Sequence, residues 1–230
     1  MNSMDFETAR QQMIGQQLRA WDVLDERVLD VMATLPREQF VPTGWRALAY
    51  ADTEIPLGHG KSLAPPKIQG RALQALLPQP DEQALEIGSG TGYLSACLGC
   101  LSGSVVSVEL HRDLLDAAGR NLAALGIHNV ELREGDGLAM ELPAEFDVIC
   151  VNGSLPAADP HLPRLQRLLR PGGRLFAVTG RPPIMAALRV TRSVDIPGDG
   201  PADAQWTRDS LFETCLPPLE KTGRDEEFVF

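Results

Sequence analysis

The stretch Leu85-Glu-Ile-Gly-Ser-Gly-Thr-Gly-Tyr93 sets an acidic residue, Glu86, in an apolar run and follows it with Gly88, Gly90 and Gly92. Glycines at that spacing let a backbone pass close to a ligand, and a helix opening just after them offers free N–H groups. Ser89 and Tyr93 complete the turn. About 20 residues on comes Glu109, the separation at which a carboxylate takes both hydroxyls of a ribose, with Leu110 beside it. Gly135-Asp-Gly137 adds Asp136 as an adenine partner and Gly137 next to it. Together these residues describe a nucleotide-type cofactor site; a tight turn without a ligand is the plain alternative. The dinucleotide fingerprint G-x-G-x-x-G is not met, because its sixth position is Tyr93. Gly60-Lys-Ser62 has the look of a phosphate-loop tail. However, the first glycine of that motif would be Ile55, and Pro65 and Pro66 stand where its helix should open.

The elements that must position these residues read as an α/β fold. Strand candidates are Ala84–Ile87, Ser104–Glu109, Asn129–Arg133, Phe146–Val151 and Arg174–Val178. Helices are expected between them near 92–101, 112–125 and 160–169. Alternation of this kind gives a doubly wound, mostly parallel sheet with helices on both faces and ligands at its carboxyl edge. Leu188–Val194 and Leu211–Leu216 are weaker strand candidates, separated by a Gly/Pro/Asp loop. Residues 4–50 read as helical, with the stripes Phe6, Met13, Ile14, Leu18, Trp21 and Val28, Leu29, Met32, Leu35. Asp25 is a candidate N-cap for the second. Residues 51–68 have loop composition, and a helix is expected over Ile68–Leu77. The expected organisation is one structural domain, with N-terminal helices and a loop over 1–82 on a core with a C-terminal extension over 83–230.

Composition narrows the function. Formal net charge is −10, so non-specific binding to a phosphate backbone has no electrostatic drive, and no nucleic-acid partner is expected. The first residues carry neither a basic lead-in nor an apolar stretch, and no run is long enough to span a bilayer. The expectation is a cytoplasmic protein without a membrane partner, favoured as a monomer. Cys97-Leu-Gly-Cys100 has redox or half-zinc spacing, but Cys150 and Cys215 supply no second close pair. Packing is the better reading, and no metal is expected.

In their order along the chain, the cofactor motifs resemble those of the Rossmann-like class I methyltransferases, which bind S-adenosylmethionine. Three further segments, Asp25-Glu-Arg-Val-Leu-Asp-Val-Met, Leu35-Pro-Arg-Glu-Gln-Phe-Val-Pro42 and Ala49-Tyr-Ala-Asp-Thr-Glu-Ile-Pro-Leu-Gly58, resemble the N-terminal signature of the protein-L-isoaspartate O-methyltransferases. The resemblance implies repair of damaged proteins: methyl transfer to the free carboxylate of an isoaspartyl residue, whose ester then collapses to a succinimide. It also implies a substrate loop like G-Q-T-I-S-x-P, whereas this chain has Gly60-Lys-Ser-Leu-Ala-Pro-Pro66. Ser62 keeps a hydroxyl, Ala64 stands where the family serine belongs, and Pro65 removes an N–H. Weakened activity is therefore expected. Lys61 and Lys67 are candidate cations for the carboxylate, with solvated loop lysines as the favoured alternative. Asn152 and Ser154 are candidates to line the pocket, with a simple turn as the alternative. The segment Ser210–Pro218 departs from the family and is a candidate cover. A methyltransferase for another acceptor, or a catalytically silent S-adenosylmethionine-binding protein, are the competing readings.

Overall fold

The computed structural model describes residues 5–142, 145–156, 160–194 and 205–219. Helices α1 (Phe6–Gln12) and α2 (Glu26–Thr34) open it. Asp5 caps the first through Thr8 N at 3.1 Å, and Asp25 caps the second through Val28 N at 3.2 Å. Between them the predicted single stripe breaks into a π turn over Met13–Leu18 and a 3₁₀ turn over Arg19–Trp21. A hairpin, β1 (Ile55–Gly58) and β2 (Lys61–Leu63), occupies the segment expected to be loop. Its turn needs left-handed backbone, which Gly58 and Gly60 supply at φ 99° and 67°. Helix α3 (Pro66–Leu76) starts two residues earlier than the pattern suggested, because proline suits a first helical position.

Then come β3 (Gln83–Ile87), α4 (Tyr93–Leu101), β4 (Ser104–Glu109), α5 (Arg112–Ala124) and β5 (Val130–Glu134). They are followed by β6 (Phe146–Leu155), α6 (His161–Arg167), β7 (Leu169–Arg181), β8 (Ile184–Arg192) and β9 (Trp206–Glu213). The sheet order is β5-β4-β3-β6-β7-β8-β9, parallel from β5 to β7 and antiparallel thereafter. One face packs on α2, α3 and α4 through Val28, Met32, Leu73, Leu98 and Val105; the other packs on Leu162 and Leu165 of α6. The central strands β3, β4, β6 and β7 are covered on both faces and read as mostly apolar segments, whereas the edge strand β5 alternates and is half-exposed.

Some boundaries differ from expectation. Asn129 lies outside β5; its amide instead ties the carbonyls of Gly99, Ser102 and Gly103. β6 runs on through Asn152-Gly-Ser154, so these residues are strand and not turn. β8 and β9 begin four or five residues before the predicted strands and pair with opposite polarity to the core. The predicted Gly/Pro/Asp loop between them falls largely outside the described residues. Among the described residues, no helix is long and apolar enough to cross a membrane.

Candidate active site

A cleft enclosing about 830 Å³, partly open to solvent, lies at the carboxyl ends of β3, β4 and β6. Its floor is the turn after β3. Gly88 N and Ser89 N donate to Val108 O at 2.8 and 3.2 Å, so β4 holds the turn in place. Gly88, Gly90 and Gly92 all have positive φ (92°, 53° and 91°). A Cβ on Gly88 would meet Asn152 O at 3.0 Å, and one on Gly90 would meet Leu57 Cδ1 at 3.1 Å. The turn is therefore a cradle that side chains would fill. Glu109 borders it, its carboxylate accepting from Gly90 N at 2.8 Å and His111 N at 3.0 Å. Asp136 accepts from Leu138 N at 2.9 Å, and Asn152 Nδ2 donates to Gly88 O at 2.9 Å. A nucleoside fits such a rim: carboxylates for hydroxyls and an amine, and backbone exposed where glycine leaves room.

Beneath the turn lies a buried polar network. Ser89 Oγ and Ser107 Oγ are 2.5 Å apart. The Glu86 carboxylate accepts from Ser107 Oγ at 2.6 Å and also from Ser95 Oγ. Burial pushes the Glu86 carboxyl up to about 7, against the pull of both serine hydroxyls.

The opposite wall is the β1–β2 hairpin and the segment after it. Lys61, Ser62 and Ala64 line the cleft. Lys61 Nζ donates to Pro218 O at 3.2 Å and Ser62 Oγ to Glu54 Oε2 at 2.7 Å. His59, at the hairpin turn, stacks on His111 with centroids 4.0 Å apart and bonds Asp113 at 2.9 Å. A C-terminal strap, Leu216 to Leu219, closes the third side. Ser154 anchors it three times: Oγ to Leu216 O at 2.8 Å, N to Pro217 O at 3.0 Å, and its carbonyl from Leu219 N at 3.0 Å.

Of the residues singled out from sequence, Gly88, Ser89, Gly90, Glu109, Leu110, Asp136, Gly137, Lys61, Ser62, Ala64 and Asn152 line the cleft. Four do not. Tyr93 is fully buried, its ring edge-on to Phe40 and under Arg37, so it belongs to the core. Gly92 packs against α5, where a Cβ would meet that of Ala118 at 3.0 Å. Glu86 supports the turn from below. Lys67 is turned away, paired with Asp52 at 2.6 Å over the Trp21 ring. Sequence reasoning missed Leu57 and His111, flanking motifs it had identified, and it could not place Leu219. Cys97 is buried in α4, where burial pushes its thiol up, and Cys100 is exposed on the same helix. Among the described residues, no group of three or more metal-ligating side chains is placed to hold an ion.

Residues 8–193 match the model of the family Protein-L-isoaspartate(D-aspartate) O-methyltransferase (PCMT). The chain is 41% identical to Protein-L-isoaspartate O-methyltransferase 1 of Rhodopseudomonas palustris, covering 78% of this chain and 72% of that one. It is 38% identical to the Herpetosiphon aurantiacus protein of the same name, covering 93% and 91%. Its fold matches a Plasmodium falciparum protein-L-isoaspartate O-methyltransferase, solved with S-adenosyl-L-homocysteine, at a TM-score of 0.74 and 20% identity over 92% of this chain and 98% of that one. The Rossmann-like sheet, the cradle at its carboxyl edge and a family match over most of the length converge: this chain belongs to the protein-L-isoaspartate(D-aspartate) O-methyltransferase family of S-adenosylmethionine-dependent carboxyl methyltransferases.

Proposed function

We propose that this chain methylates the free carboxylate of isoaspartyl residues in damaged proteins, with Glu109, Asp136 and the Gly88–Gly90 turn holding S-adenosylmethionine and the Lys61–Ala64 segment receiving the acceptor. One observation carries the reading: a single cleft joins the cofactor rim to the segment the family uses for its substrate. When bound, S-adenosylmethionine supplies an electrophilic methyl group on a sulfonium. The acceptor carboxylate is ionised at neutral pH, so the residues here need only orient it and exclude water. Glu109 takes the sugar hydroxyls, Asp136 the base, and Asn152 keeps the turn in register through Gly88 O. Lys61 lies where it can attract the acceptor. Ala64 brings no hydroxyl to its place on the cleft wall, and one lost bond to a charged acceptor costs about 1.5–3 kcal/mol, so turnover is slow.

Incubation with methyl-labelled S-adenosylmethionine and an isoaspartyl peptide tests this. Label above that on the aspartyl control is expected; none refutes the proposal. One observation favours a second reading, a different acceptor: the Ser62 hydroxyl is engaged by Glu54, a carboxylate that repels an anion. Turnover of a cationic or neutral acceptor, with none of the isoaspartyl peptide, is the result that reading requires. The protein is also proposed to act as a cytoplasmic monomer without a nucleic-acid partner. Light scattering checks the mass, and a dimer would correct it.

A further inference from the structure

Arg37 is fully buried, yet no carboxylate faces it among the described residues. Its Nε donates to Ala49 O at 2.7 Å, Nη2 to Ala64 O at 2.6 Å, and Nη1 to the Gln69 side-chain carbonyl. The face of the Tyr93 ring lies 4.6 Å away. All of these partners are neutral. Two other well-covered arginines have acids: Arg174 has Glu82 at 2.5 Å and Arg10 has Glu38 at 3.7 Å. The acid next in sequence to Arg37, Glu38, is turned to Arg10 and the Tyr50 hydroxyl instead. A guanidinium stays charged at any working pH, and burying one without a counter-ion is costly.

The place of Arg37 indicates a use for this charge. Ala64 lines the cleft, and its carbonyl is drawn inward onto Arg37. A carbonyl oxygen facing an anionic acceptor would repel it, so the inward turn clears the wall. Ala64 has no hydroxyl and Pro65 no N–H, so this stretch of the wall, beside Lys61 and Ser62, adds no side-chain donor of its own for a carboxylate. We propose that Arg37 is the positioning residue of the acceptor half: it turns the Ala64 carbonyl away from the cleft and keeps behind it an uncompensated positive charge that the acceptor's carboxylate neutralises. This rests on the isoaspartyl reading above.

The test uses the full chain and a peptide with blocked termini whose only charge is the isoaspartyl carboxylate. Arg37→Gln is expected to raise KM about tenfold while cofactor Kd stays within about threefold, and Arg37→Lys, which keeps a cationic group but cannot make all three bonds, to recover only part of that loss. An unchanged KM, a parallel loss of cofactor affinity, or a lysine variant no better than the glutamine one overturns the proposal. If Arg37→Gln does not fold, salt decides with Lys61→Ala, in which the exposed cation of the wall is gone. A buried charge is little screened, so KM of that variant should rise less than about twofold between ~50 and ~500 mM salt. A larger rise assigns the remaining attraction to exposed charge and overturns the proposal. No transfer by the unmodified protein sinks the functional reading and this inference with it; transfer that Arg37→Gln leaves unchanged sinks this inference alone.

Discussion

The two halves of the cleft are held in different ways. The cofactor half hangs on strand ends: β3 lies in parallel register between β4 and β6, and the glycine turn is bonded to Val108 O through two backbone N–H groups. The acceptor half is a four-residue strand, a three-residue strand and a strap, joined by side chains reaching for carbonyls and, between Ser154 and the strap, by two backbone bonds as well. Arg37 holds Ala64, Lys61 holds Pro218, and Ser154 holds Leu216. Geometry written into a sheet resists single substitutions, whereas geometry that rests on individual side chains changes with them. Acceptor preference can therefore drift on this scaffold while the cofactor site stays intact, in keeping with function residing in sites carried on folds.

The strongest way to break that contrast is at Glu109. Two charge-assisted bonds to a sugar are worth about 3 kcal/mol together, so Glu109→Ala should weaken S-adenosylmethionine roughly 100-fold by calorimetry. Peptide KM should move less than about threefold if the halves are independent. A loss in cofactor affinity under about tenfold would take the sugar from Glu109.

Next in size is the buried support under the turn. Glu86 is raised from 4.5 to about 7 by burial. Between those values the folded protein keeps a proton that the unfolded chain has lost. This group's contribution to stability is therefore full below the unfolded value and is lost as pH rises through about 7. Glu86→Gln removes that loss, partly offset by weaker serine bonds. A gain of about 2 kcal/mol is expected at pH ~8, shrinking as pH falls toward ~5. Thermal midpoints across that range check it, and a gain independent of pH would rule out burial as the cause.

The same contrast explains what the sequence made legible. Glu109, Asp136 and Asn152 could be placed on the cleft from sequence because they lie at the ends of the predicted strands, and parallel strand ends face the ligand edge. Tyr93 was misread because the residue after a glycine turn has no stated direction until its helix docks; here it docks on Phe40 and Arg37. Glu86 was assigned to the ligand, although its side chain points to Ser95 and Ser107 beneath the turn. The partners of Lys67, Asp52 and Trp21, lie 15 and 46 positions back along the chain, and no periodicity reports such a meeting. The strap was suspected only from its departure from the family; its anchor at Ser154 is 62 residues from Leu216.

A smaller effect is expected where the acceptor half departs from its relatives. Ala64→Ser returns a hydroxyl to a wall residue that is only 5% exposed. One bond to a charged acceptor, made in the transition state, should raise kcat/KM about tenfold. Cofactor affinity should not change, because the turn after β3 does not depend on residue 64. An unchanged or lower rate would mean that residue 64 does not face the carboxylate.

The smallest effect belongs to the strap. Ser154→Ala deletes the bond to Leu216 O but leaves both backbone bonds to Pro217 and Leu219. A single neutral bond is worth about 1 kcal/mol, so the thermal midpoint should fall by a few degrees. Lys61 ties the strap to the hairpin, so the loosening should appear at the acceptor: peptide KM rising about threefold, with cofactor Kd within about twofold. If cofactor affinity fell as far as peptide affinity, the strap would belong equally to both halves. The division between a sheet-built site and a side-chain-built one would then hold only for the hairpin.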